Sequence, residues 1–144
     1  MGYEDAYLDE NDPNYDPYPP IFHLCVESAF DDATKAENGS YFSHTYNEDK
    51  FIHATEDPAS LLDVANHFYK GEEGVWVCLK IDPVKLGCDV IYEKPAPVGD
   101  KAAYESDNNM EFPHIYGGIP AGAVMQRMAV NRGEDGTFLS IEGI

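Results

Sequence analysis

Apolar and polar positions alternate in short runs along this chain, and Asp-Pro, Asn-Gly and Gly-Gly pairs separate the runs. IFHLCV (21–26) reads as a strand with Phe22, Leu24 and Val26 on one face and Ile21, His23 and Cys25 on the other. Ser28 is the expected N-cap of a helix to about Glu37, with Asp31 at the capping-box position and Asn38-Gly39 closing it. SYFSHTYNEDK has some β character and ends as a polar loop, and FIHAT (51–55) reads as a second short strand. Asp57-Pro58 combines an N-cap with proline at the first helical position, so a helix is predicted there. Leu61, Leu62, Val64, Ala65, Phe68 and Tyr69 give that helix its apolar stripe, and Gly71 follows its end. VWVCLKI (75–81) is apolar on both faces, the pattern of a central strand.

Asp82-Pro83 opens a turn before a strand at DVIYE (89–93), and residues 94–111 form a long loop rich in Pro, Gly, Asp and Asn. EFPHIYGG (111–118) follows, then a strand at AVMQRMAV (123–130). Asn131 to Gly136 is a hairpin loop leading into TFLSI (137–141). These elements predict one α+β domain over residues 21–144, with two helices early and mostly strands later. Its strand connections are too short for a run of βαβ crossovers, which argues against a doubly wound nucleotide fold. Residues 1–20 differ: they hold four Tyr and four Pro, several acids and no Lys or Arg. That composition predicts a disordered acidic arm, read either as a solubilising tail or as a segment that docks on the domain or a partner.

Charge narrows the functional classes. Nine Lys+Arg against 27 Asp+Glu give a net charge of -18, and Arg127 and Arg132 are the only arginines. Such a surface repels a phosphate backbone and an anionic membrane, so extended nucleic-acid contact and membrane binding are not expected. No apolar run approaches the roughly 18 residues of a membrane span. The first ten residues lack the basic and apolar regions of a signal peptide, and Ala6 stands where an acylation motif wants Ser or Thr. Cys25, Cys78 and Cys88 are an odd number without paired spacing, so free thiols and a cytoplasmic address are expected.

Three histidines lie on or beside short apolar strands, in Phe22-His23, Ile52-His53 and Pro113-His114. One such histidine is ordinarily a satisfied core group; three in like settings suggest a shared polar cleft. His23, Cys25, His53 and His114 are a conceivable metal set, but neither HExxH nor CxxC occurs, so no metal site is assigned. Cys25 and Cys78 sit in apolar strands, where a thiol is raised in pKa and inert. GxGxxG, GxxxxGK[ST] and GxSxG are all absent.

The series IFHLC, FIHAT, VANHFYKG, LKIDPVKLG, VIYE and FPHIYGGIP resembles the family called domain of unknown function 952, over about Ile21 to Val130. Lys50 stands where that family usually has Gly, Ala54 replaces a Cys or similar small residue, and the 94–111 loop is expanded. The resemblance implies a split antiparallel sheet core with two short helices, similar to the ADP-ribosyltransferases, and NAD as substrate in a cleft between two small sheets. By position, His23 is implied to hold a ribose and His53 to contact the nicotinamide or ribose, while His114 with Tyr116 completes the site. His53 and His114 are the implied catalytic pair; Phe51, Phe112 and Tyr69 are the implied walls. The usual late catalytic Glu has no counterpart, although a carboxylate is what stabilises an oxocarbenium-like ribose. The expected function is therefore binding of NAD or a related nucleotide, with transfer of ADP-ribose to a small molecule or protein rather than RNA. A non-enzymatic ligand-binding or interaction module and a metal-dependent hydrolase are the alternatives. The sequence names no protein partner.

Overall fold

The computed structural model describes residues 11, 13, 16–105 and 110–144, so most of the predicted acidic arm lies outside the described residues. Among the described residues there are nine strands and three α-helices, beginning with β1 (Ile21–Val26), α1 (Glu27–Thr34), β2 (Ser40–Tyr41), α2 (Tyr46–Asp49), β3 (Ile52–His53), α3 (Leu61–Tyr69) and β4 (Trp76–Ile81). The chain continues through β5 (Asp89–Glu93), β6 (Phe112–Tyr116), β7 (Ile119–Pro120), β8 (Val124–Arg132) and β9 (Phe138–Ile141). The strands form a four-stranded sheet β1-β4-β8-β9, a three-stranded sheet β3-β6-β5 and a two-stranded ribbon β2-β7, with antiparallel pairing throughout. This is the predicted α+β class.

The alternation in β1 and β4 divides the core in two. Phe22, Leu24, Trp76 and Cys78 face one apolar cluster with α3 and β9, whereas Ile21, Cys25, Val77, Leu79 and Ile81 face another with α1 and β6. A strand buried on both faces must be apolar throughout, which is why VWVCLKI was legible as central. Phe22 and Thr55 exchange two backbone hydrogen bonds of 2.8 Å, and this single bridge ties the large sheet to the β3 segment.

Two Asp-Pro pairs behave as predicted, each capping a 3-10 turn: the Asp57 carboxylate accepts from Ala59 N–H and that of Asp82 from Val84 N–H, both at 3.0 Å. The α1 boundary differs from expectation. The helix starts at Glu27, without a side-chain cap, and ends at Thr34, so Ser28 lies inside it and Glu37 beyond it. The Glu27 N–H is satisfied instead by the Val75 carbonyl at 2.9 Å, a non-local bond that no capping pattern encodes. The polar end of SYFSHTYNEDK is also more than a loop: it folds into the single turn α2, closed by Lys50 at φ 72°. That left-handed position favours Gly, which gives a physical meaning to the lysine noted above.

Candidate functional site

Strand geometry brings the three histidines together. His53 and His114 are directly opposed across β3 and β6, so their rings share one face, with centroids 5.5 Å apart. His23 reaches them from β1, its Nδ1 2.6 Å from the His53 carbonyl oxygen. A carbonyl only accepts, so His23 Nδ1 carries the proton and Nε2 is a bare acceptor. Burial holds His23 low, to about 4, and therefore neutral at physiological pH.

The other two imidazoles have carboxylate partners. His53 Nε2 donates to Asp49 Oδ2 at 3.0 Å, four residues back across α2. Asp49 also accepts from Gly99 N–H at 3.1 Å and so pins the 94–111 loop beside the site. Gly99 has φ 59°, and a Cβ there would lie 3.1 Å from Thr45. His114 Nδ1 donates to Glu93 Oε1 at 2.8 Å, and Tyr116 donates its hydroxyl to the same oxygen at 2.6 Å. Burial lowers both histidines despite these partners. The hydrogen bonds from Tyr116 and His114 hold Glu93 below the usual carboxylate range, and the bond to Glu93 raises Tyr116.

Two cavities flank this cluster, and His23, His53 and Tyr69 line both. The first, roofed by Pro95, Ala96 and Tyr104 of the long loop, leaves only about 30 Å³; Phe112 and His114 line it, and it is a seam of the packed core. The second is about 360 Å³ and follows the open edge of β1, where the sheets part. Tyr41, Phe42, Tyr69 and Trp76 supply aromatic walls, with Ser43, His44 and Glu72 among the polar groups. Because Phe22 turns its backbone groups to Thr55, strand alternation turns those of Leu24 to the same open edge. Among the described residues, two buried side-chain polar atoms lack a hydrogen-bond partner, His23 Nε2 and Ser43 Oγ, and both residues line this second cavity.

The sequence-derived site residues therefore separate. His23, His53 and Tyr69 meet in the open cavity, His114 stands behind His53, and Phe51 and Tyr116 line neither space. Phe51 stacks on His114 at 4.1 Å between centroids and lies 5.4 Å from the Tyr116 ring. Sequence reasoning missed Tyr41, Ser43 and Glu72 in the cavity and the carboxylates Asp49 and Glu93 behind it. Cys25 and Cys78 are buried, and burial pushes both thiols up to about 12, as their strand positions predicted. Among the described residues, no three His, Cys, Asp or Glu side chains come together as a set able to hold a metal ion. No helix among those residues is long and apolar enough to cross a membrane.

An antiparallel α+β domain with a histidine-lined split between its sheets is the class these observations define. The chain belongs to the family described as Protein of unknown function (DUF952), whose model matches residues 25–127. It is similar in fold to the crystal structure of protein CC0527 from Caulobacter crescentus, with 21% identity and a TM-score of 0.62, over 83% of this chain and 93% of that one. A double mutant of the same protein matches with 20% identity over the same shares and a TM-score of 0.62. A search of curated proteins finds no match.

Proposed function

We propose that the domain binds NAD or a related nucleotide by seating its nucleoside part in the split cavity, as in an ADP-ribosyltransferase-like fold. The observation that carries this reading is the buried acceptor His23 Nε2, which has no partner and belongs to a residue lining a cavity of about 360 Å³. An unsatisfied buried acceptor costs about 1–3 kcal/mol, which a donor from a ligand recovers. A ribose hydroxyl is such a donor, and Ser43 Oγ offers a second contact to a sugar. The aromatic walls suit a base, in the usual pattern of an apolar cleft with a few convergent polar groups.

The fit to NAD is partial. Its ribose and aromatic rings match the cavity, whereas no Lys or Arg is among the lining residues to meet its pyrophosphate. No transfer step is therefore derived. In this reading His53, with Asp49 behind it, orients the ligand, and His114 with Tyr116 buttresses His53. A binding module without turnover is the second reading, favoured because Asp49 and Glu93 are hydrogen-bonded to histidines and neither lines the cavity. If transfer occurs, the charge of -18 favours a small-molecule or protein acceptor over RNA.

Thermal unfolding of the full chain with adenosine, ADP-ribose and NAD tests the assignment. Ligand at about 100 times its dissociation constant adds about 2.7 kcal/mol. The expected result is a rise in Tm with at least one of the three that His23→Asn, which lacks the Nε2 acceptor, abolishes. A response that His23→Asn leaves intact, or no response to any of them, overturns it.

A further inference from the structure

The open cavity is built against anions. Its lining contains no Lys or Arg and one carboxylate, Glu72. Lys101 reaches that carboxylate, with Nζ 3.9 Å from Glu72 Oε2, so its charge is already answered. Arg132, on the neighbouring turn, donates to the carbonyls of Tyr69, Lys70, Gly74 and Gly136, and its guanidinium lies 4.3 Å over the Phe138 ring. It is committed to the backbone. The start of α1 borders the same space, but its first amide is bonded to Val75 and its first turn carries Glu27.

The hydrogen-bond polarity points the same way. His23 Nδ1 donates a hydrogen bond to the His53 carbonyl, so Nε2 carries the lone pair and has no partner. Phosphate oxygens are acceptors, and two acceptors facing each other in a buried site repel. A hydroxyl donates to Nε2, and its own lone pairs remain free for Ser43. The volume agrees: about 360 Å³ lies near the lower end of the range for small-molecule sites, which suits one nucleoside better than a dinucleotide.

We propose that the split cavity selects a phosphate-free nucleoside, with its base between the aromatic walls and a ribose hydroxyl on His23 Nε2. A neutral base needs no counter-charge, whereas a 5′-phosphate meets no Lys or Arg in the lining, and the nearby Lys101 is already held by Glu72. This rests on the nucleoside reading above and names its ligand class. In a dinucleotide the phosphates would have to lie outside the cavity mouth.

Isothermal titration of the full chain with two matched pairs tests selection apart from binding. The probes are adenosine with adenosine 5′-monophosphate, and nicotinamide riboside with nicotinamide mononucleotide. Members of each pair differ only by the phosphate. In any pair that binds, the nucleoside is expected to bind at least about ten-fold tighter than its 5′-phosphate. Raising the salt concentration should narrow the gap by screening, and Glu72→Gln should narrow it by removing the carboxylate. A 5′-phosphate that binds as tightly as its nucleoside, or tighter, overturns the selection and leaves the nucleoside reading standing. If none of the four probes binds at millimolar concentration, both fall together. A gap unchanged by salt and by Glu72→Gln overturns the electrostatic basis.

Discussion

His23 and His114 lie on the same cluster yet have opposite surroundings. His114 is enclosed: Glu93 accepts a hydrogen bond from its Nδ1, Phe51 stacks on its ring, and the cavity it lines leaves only about 30 Å³. His23 has no carboxylate partner, a backbone carbonyl fixes its proton, and its second nitrogen is bare beside about 360 Å³ of space. Burial drives both toward the neutral form, and among the described residues His23 Nε2 is the buried histidine nitrogen without a partner. A histidine bonded to a carboxylate and stacked in the core supports the fold, whereas a buried acceptor without a partner, on a residue that borders a cavity, is a candidate for a ligand.

The comparison breaks most visibly in stability. His114→Ala removes a buried stacked ring and the Glu93 hydrogen bond, and should cost about 2–4 kcal/mol in a denaturant titration. His23→Asn keeps an amide donor at the Nδ1 position for the His53 carbonyl and should stay within about 1 kcal/mol of the parent. Equal losses would erase the distinction.

Acid should separate the two proteins next. The folded-state pKa of His23 is depressed to about 4 from 6.5, so the unfolded chain takes up its proton first as the pH falls. The stabilisation is complete above pH 6.5 and is lost progressively down to about pH 4, amounting to about 3 kcal/mol. Acid also discharges carboxylates in a chain of net charge -18, so the informative quantity is the stability difference between the parent and His23→Asn across that window. A difference independent of pH would contradict the buried neutral imidazole.

Two smaller effects sharpen the picture. Lys50→Gly relieves a left-handed residue at the turn that places Asp49 and His53, and should raise stability by about 0.5–1 kcal/mol. Ser43→Ala removes an unpaired hydroxyl from the cavity and should change stability by no more than about 0.5 kcal/mol while weakening nucleoside binding a few-fold. A clear loss of stability in Ser43→Ala would mean that the hydroxyl serves the fold.

Local chemistry made part of this arrangement readable. The alternation in β1 and β4 showed which residues face which half of the core, and the two Asp-Pro pairs announced their turns. His53 and His114 stood out because each follows an apolar strand residue, and pairing of β3 with β6 brings them together. What stayed hidden depends on partners distant in sequence. Tyr41 and Ser43 border the cavity because the two-residue β2 pairs with β7, a contact with no periodic signature. Glu93 reaches His114 through a β5–β6 register spanning the long loop, which places Glu93 opposite Phe112. The one local signal available for the hidden carboxylates was the spacing of Asp49 and His53, i and i+4, and the left-handed Lys50 between them concealed it.

Nitrogen-15 imidazole spectra of the full chain, recorded near pH 7 before and after saturation with adenosine, test the central claim most directly. The account predicts that His23 is protonated at Nδ1 and bare at Nε2 in the free protein, and that the Nε2 resonance alone among the three histidines moves strongly upfield on binding as a hydroxyl donates to it. A proton on Nε2 in the free protein, or an Nε2 signal unmoved at saturation, would contradict it.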